Sequence, residues 1–250
     1  MKNIVNYIVP VVLGATLMAC EKDNYEPPNA LLSGRLLYQG EPIYVEYDRV
    51  SYDLYQDGFG KTGPLTSTFT QEGAFSHLLF DGDYKMVIPV GQGPFVPLQT
   101  DAGADTLRIA LRGSTTQDME VTPFRMIRNP QLTAGSGDVT GTFALEQVAT
   151  GDNARAIESV TLYVSKTAFA NSQTNVASTT LGGGDIPDTD NVSLRAEVPE
   201  LIPTQDYVFA SIGVKFAGVR RPDLFPHPKD RLMMDSGGEG IDLKIKAVVG

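Results

Sequence analysis

From residue 30 onward, apolar residues recur at every second position in short runs, and no stretch carries the three-to-four spacing of an amphipathic helix. That pattern restricts the chain to a fold built from strands. Runs at 31–38, 50–55, 74–80, 84–90 and 106–111 make a first block, and runs at 139–148, 157–165, 192–198, 207–216 and 241–249 make a second. Three of them are especially regular. Val50, Tyr52 and Leu54 share a face, as do Leu107, Ile109 and Leu111, and Val160, Leu162 and Val164. Gly40-Glu41-Pro42, Asp57-Gly58, Gly63-Pro64 and Asp81-Gly82 punctuate the runs, and the last of these reads as a tight turn. Residues 91–104 form a polar excursion, and 166–184, rich in Ser, Thr, Asn and Gly, read as a loop with at most one helical turn. Hydrophobic residues at 42% suffice for real cores, and strands at this spacing build β-sandwiches. The polar stretch 112–117 then divides the chain into two sandwiches, 30–117 and 118–250.

The N-terminus follows a different logic. Lys2 precedes an apolar run at 4–18, which is shorter than the roughly 20 residues a spanning helix needs. Ala19 supplies the small residue that a signal peptidase requires before a cut. Cys20 is the only cysteine, so no disulfide partner exists for it. Leu17-Met18-Ala19-Cys20 resembles a bacterial lipobox, which implies removal of 1–19 and acylation of Cys20 at the new N-terminus. Several acyl chains, at about 0.8 kcal/mol per buried methylene, make such an anchor effectively permanent. Glu21-Lys22-Asp23-Asn24 resembles the lysine-plus-acid signal that sends Bacteroidetes lipoproteins to the outer face of the outer membrane. Glu26-Pro27-Pro28-Asn29 completes a stiff tether over 20–29. Losing Lys2 with the leader takes the formal net charge from −10 to −11, which argues against nucleic-acid partners and leaves membrane attachment to the lipid.

Two motifs sharpen the reading of the blocks. Gly73-Ala74-Phe75 followed by Leu79, Gly82 and Tyr84 resembles the signature of transthyretin-like (carboxypeptidase regulatory-like) domains. Leu201, Pro203 and Tyr207 resemble the tyrosine corner of fibronectin type III domains, which implies a buried Tyr207 ring. The whole layout, with Val121-Thr122-Pro123-Phe124 at the joint and Ser159 to Ser165 in the second sandwich, resembles an uncharacterised lipoprotein family of gut and oral Bacteroidetes. The resemblance implies a prealbumin-like sandwich followed by a fibronectin- or Ig-like one. It also implies, as partners, a TonB-dependent transporter and the glycan-binding lipoprotein of starch-utilisation-type loci. It brings no catalytic residues and no cofactor.

The residues themselves offer little catalytic chemistry. His77 lies in a strand run and His227 between two prolines, far apart in sequence, with no nucleophile or metal motif beside them. Asp101 and Asp105 are too sparse for a glycosidase carboxylate pair. Asp185, Asp188 and Asp190 gather hard oxygen ligands that calcium could take, although they lack the spacing of a helix-loop-helix site. Sugar binding asks for flat aromatic faces beside planar hydrogen-bonding groups. The chain has no tryptophan, so the candidates are the loop-proximal Tyr55, Phe59 and Phe95. The expectation is a non-catalytic surface lipoprotein, an accessory binding component of a glycan or nutrient uptake system. The alternative is a structural or adhesive module, such as a pilus component or outer-membrane scaffold.

Overall fold

The computed structural model of the chain describes residues 26–56, 63–98, 105–201, 207–219, 224–225 and 232–235. The leader, Cys20, Lys22, Asp23, Asp57-Gly58, Phe59, Asp101, residues 202–206, His227 and the run at 241–249 lie outside the described residues. Among the described residues no helix is long and apolar enough to cross a membrane.

The first unit is a sandwich of two sheets. Its strands are β1 (Ala30–Tyr38), β2 (Glu41–Pro42), β3 (Tyr44–Val45), β4 (Ser51–Gln56), β5 (Leu65–Thr68), β6 (Ala74–Leu79), β7 (Gly82–Val87), β8 (Thr106–Leu111), β9 (Thr115–Thr116) and β10 (Met119–Glu120). β1 is the axis of one sheet, with β2 and β6 antiparallel to it and β9 and β10 parallel. The other sheet runs β5-β4-β7-β8. Alternation explains the packing: Val50, Tyr52, Leu54, Ile109 and Leu111 are all buried, facing Leu32, Leu36 and Phe75 in one apolar core.

Asp81-Gly82 does not close a hairpin. β6 pairs with β1, whereas β7 pairs with β4 and β8, so the chain changes sheet at this corner. The transthyretin-like motif has a physical account here. The Tyr84 hydroxyl donates to the Phe80 carbonyl at 2.9 Å, and Asp81 Oδ1 accepts from the Gly113 amide at 2.7 Å. Gly73 takes φ +65°, and a Cβ there would meet the Ile43 carbonyl oxygen at 2.1 Å.

The stretch read as a joint stays attached to the first unit. Gln117 N donates to Ser33 O at 2.7 Å, Arg35 N to Asp118 Oδ1 at 3.0 Å, and Val121 N to Leu37 O at 2.7 Å. Phe124 then passes into the second unit, where its ring meets Phe216 edge-on at 5.4 Å and Arg155 covers it at 5.6 Å.

The second unit contains β11 (Arg125–Ala134), β12 (Asp138–Gln147), β13 (Ile157–Ser165), β14 (Ala177–Gly182), β15 (Val192–Glu197), β16 (Tyr207–Phe216), β17 (Leu224–Phe225) and β18 (Leu232–Asp235). One sheet is β11-β12-β15 and the other is β14-β13-β16-β17-β3, with β18 also on β16. The loop expectation for 166–184 is corrected in its last third, where β14 pairs with β13 over six residues. β3 belongs to the first unit by sequence but closes the second unit's sheet, with Val45 opposite Leu224 and Tyr44 opposite Phe225. Buried residues of both units form one contiguous core. The units are therefore joined by an exchanged strand and shared packing, not by a free linker.

Candidate functional site

The sequence-derived aromatic candidates do not assemble into one surface. Tyr55 is 39% exposed on β4, on the outer face of its sheet. Phe95 is only 3% exposed; it bridges to Pro123 and lies beneath Gly93, so it is core and not a platform. Its apolar ring fills the space where the 91–98 loop folds over the joint, with Phe124 N donating to Pro94 O at 3.0 Å. Phe59 lies outside the described residues.

The calcium candidates are also corrected. Among the described residues no three His, Cys, Asp or Glu side chains gather as a metal site. Asp188 Oδ1 instead accepts the Asp190 amide at 2.8 Å, an Asx turn that uses the carboxylate to shape its own loop. His77 is half-buried, with Nε2 2.5 Å from the Tyr52 hydroxyl, and burial pushes its pKa below 6.5. Burial also pushes the Tyr52 phenol up, against a smaller effect of its bond with Ser67. This group supports the core of the first unit.

The sequence reading missed a third aromatic group, which the exchanged strand creates. The outer face of β13 and β16 carries Tyr163, opposite Ser211, and Phe209, opposite Ser165. β3 brings Tyr44 to the same face, where Tyr44, Tyr163 and Ala170 form a buried cluster with Phe209 packed against it. Two aromatic pairs adjoin that cluster, Tyr207–Phe209 through Phe209 itself and Tyr47–Phe169 close in sequence to Tyr44 and Ala170. Tyr207 stands edge-on to Phe209 at 5.6 Å. Tyr47 and Phe169 lie 5.0 Å apart at 43° and are each 46% exposed. Tyr207 is 38% exposed, so the buried ring expected of a tyrosine corner is not found. Its odd-numbered position on β16 puts it opposite in sense to the inward-facing Val208, Ala210 and Ile212.

The loop that presents Phe169 is wired internally. Asn171 is buried, and its Oδ1 accepts the amides of Gln173 at 2.8 Å and Thr174 at 3.0 Å. The Thr174 hydroxyl donates to the Phe169 carbonyl, and Asn175 Nδ2 to the Asn171 carbonyl at 3.0 Å. Glu46 ties this loop to the first unit. Its buried carboxylate accepts the Ser172 amide at 3.0 Å and also the Ser172 hydroxyl, with Arg49 at 3.8 Å. The result is a fixed strip of tyrosine and phenylalanine rings edged by the exposed side chains of Ser172, Gln173 and Thr174. Such a surface can stack on a flat apolar face and hydrogen-bond at its rim. The one sequence clue was Phe169 itself, a large apolar residue in a polar loop; its partner Tyr47 comes from the other unit.

These features define a two-unit β-sandwich protein with an aromatic surface at the junction. Residues 30–122 match the N-terminal domain of a protein family of unknown function, DUF3823, and residues 125–225 match the domain of unknown function DUF3823_C. The chain belongs to the DUF3823 family. A family member from Bacteroides ovatus has a similar structure, with TM-score 0.69 and 25% identity over 83% of this chain and 100% of that one. One from Parabacteroides merdae gives 0.68 and 29% over 80% and 97%. A Bacteroides uniformis protein described as a candidate carbohydrate-binding protein shares the fold at TM-score 0.62 and 14% identity, over 83% and 99%. Among curated proteins, none matches the chain.

Proposed function

We propose that the protein is a non-catalytic, lipid-anchored module on the outer face of the outer membrane that binds glycan along the junction strip. In this role it serves a nutrient-import system as an accessory component. The observation that carries the reading is the Tyr47–Phe169 pair, both rings half exposed, with Phe169 in a loop otherwise wired for rigidity. Leaving about half of the Phe169 ring in water forgoes roughly 1 kcal/mol of burial, which a stacked sugar would recover. The similarity in fold to a candidate carbohydrate-binding protein supports the ligand class. Cys20 in its lipobox-like context, followed by Lys22 and Asp23, supports the anchor and its outward face. A TonB-dependent transporter and its glycan-binding lipoprotein are the partners such a component would serve.

The test is retardation of the protein in native gels cast with a panel of neutral and acidic polysaccharides. At least one polysaccharide should slow the wild type, and Phe169→Ala should migrate freely in it. A wild type that no polysaccharide retards would refute the binding role. For the anchor, Cys20→Ser should abolish fatty-acid labelling, and a serine variant still processed and labelled would refute it.

A further inference from the structure

The outer face of the sheet built on β1 carries an apolar patch at the end where the tether enters. Alternation turns Ala30, Leu32 and Leu36 into the core, and the positions between them should be polar where they meet water. Ser33 and Arg35 obey, with Ser33 opposite Ser76 and its hydroxyl 3.5 Å from that of Thr116. Leu31 and Leu78 do not. They stand directly opposite each other across β1 and β6, 40% and 61% exposed, and Phe80, two residues past Leu78, is exposed as well. The two nearest acids that follow are engaged: Asp81 Oδ1 accepts the Gly113 amide at 2.7 Å, and Asp83 pairs with Arg112 at 2.9 Å. Adjacent apolar side chains left in water beside a polar band mark a contact surface.

Position in the chain names what covers it. Leu31 follows Cys20 by eleven residues, so even a fully extended tether holds the patch within about 40 Å of an acylated Cys20. β1 then runs roughly 25 Å from Ala30 to Tyr38, and its far end leads to β3 and the second unit's sheet. The patch and the junction strip therefore lie at opposite ends of the first unit. A net charge of −10 gives no electrostatic hold on an anionic surface, so the contact is apolar. Tethering makes even a weak contact effective, because it keeps the patch at a high local concentration of bilayer. Given the anchor at Cys20, on which this reading rests, we propose that Leu31, Leu78 and Phe80 dip into the membrane surface beneath the protein. Docked in this way, the first unit stands on the bilayer and turns the junction strip away from it.

Cys20 is the only cysteine and the chain has no tryptophan, so one thiol and one introduced indole report without interference. The chain from Cys20 onward is coupled through that thiol to maleimide-bearing lipid in phosphatidylcholine vesicles that contain brominated lipid as quencher. The indole of Leu78→Trp should shift to the blue and be quenched. The indole of Val90→Trp, exposed beyond the far end of β7, should stay in water and keep its emission. Adding Leu31→Ser to Leu78→Trp should lower the docked-to-free ratio about fourfold, the effect of losing the exposed part of one leucine, with an unchanged thermal melt. Equal quenching of the two indoles, no quenching of Leu78→Trp, or full quenching with Leu31→Ser would each overturn the proposal. So would a blue shift that grows with protein concentration in the absence of vesicles, which would give the patch to a second copy of the chain. Maleimide coupling supplies the tether whatever becomes of Cys20 in the cell, so docking is read separately from the fatty-acid labelling that tests the anchor.

Discussion

Glu46 is the contact through which the first unit holds the loop that displays Phe169, so its removal reports on both stability and function. Its carboxylate accepts the amide and hydroxyl of Ser172 and sits 3.8 Å from Arg49. A hydrogen bond to a charged group contributes about 1.5–3 kcal/mol. Ser172 is exposed, so its donors regain water in the variant and the low end applies to each. Removing a buried carboxylate also relieves a desolvation cost, and the long Arg49 pair adds little. The net expectation for Glu46→Ala is a loss of about 2 kcal/mol, which lowers the melting temperature of a chain this size by about 4–8 °C. Glu46→Gln keeps an acceptor in place and should lose about half as much. Differential scanning calorimetry measures both. The freed loop should also lose Phe169 from Tyr47, so Glu46→Ala should weaken glycan binding while Glu46→Gln largely keeps it. A Glu46→Ala protein that melts with wild type would refute the claim that this carboxylate fastens the loop.

Three further outcomes follow from the packing. Gly34→Ala places a Cβ 2.0 Å from the Gln117 carbonyl oxygen, where β1 meets the strand beside it. Overpacking there should cost about 3 kcal/mol, and an unchanged thermal melt would contradict the close approach. His77 has its pKa lowered below 6.5 by burial, so the unfolded chain takes up a proton at a higher pH than the folded one. The stabilising effect of a neutral His77 is complete above 6.5 and is lost as pH falls through the folded value. His77→Gln, which can still accept from Tyr52, should flatten the stability profile over that window, and parallel wild-type and variant profiles would refute this assignment. Tyr207→Ala should lose about 0.5–1.5 kcal/mol from the edge contact with Phe209, well short of the roughly 3–5 kcal/mol of a fully buried ring. A loss of several kcal/mol in that variant would restore the buried tyrosine corner.

Strands with one apolar face were legible in the sequence because burial and the two-residue period coincide in them. Val160, Leu162 and Val164 are fully buried, and β16 runs over the residues its alternation outlined. What escaped were strands whose side chains do not record their pairing. β14 is half Ser and Thr, and it pairs with β13 through backbone while neither of its faces is deeply buried. β11 is interrupted by a register shift between Arg128 and Gln131, where Asn129 takes φ 49°, and the shift breaks its alternation. The site was hidden for a related reason. Tyr47 and Phe169 are 122 positions apart, and they meet only because two residues of β3 join the other unit's sheet. No local pattern encodes that exchange. Phe95 misled in the opposite sense: its loop is polar, but the loop folds back over the joint and buries the ring.

The central claim is that the Tyr47–Phe169 surface is held for a ligand and not for stability. The direct measurement pairs calorimetric titration of a retained polysaccharide's oligosaccharide with thermal melts, for wild type and for Tyr47→Ala/Phe169→Ala. Each ring is about half exposed, so the double variant should melt within about 2–4 °C of wild type, roughly 1 kcal/mol. Its affinity should fall by about tenfold or more, the loss of at least 1.4 kcal/mol of stacking. Undiminished affinity in a folded double variant would contradict the account.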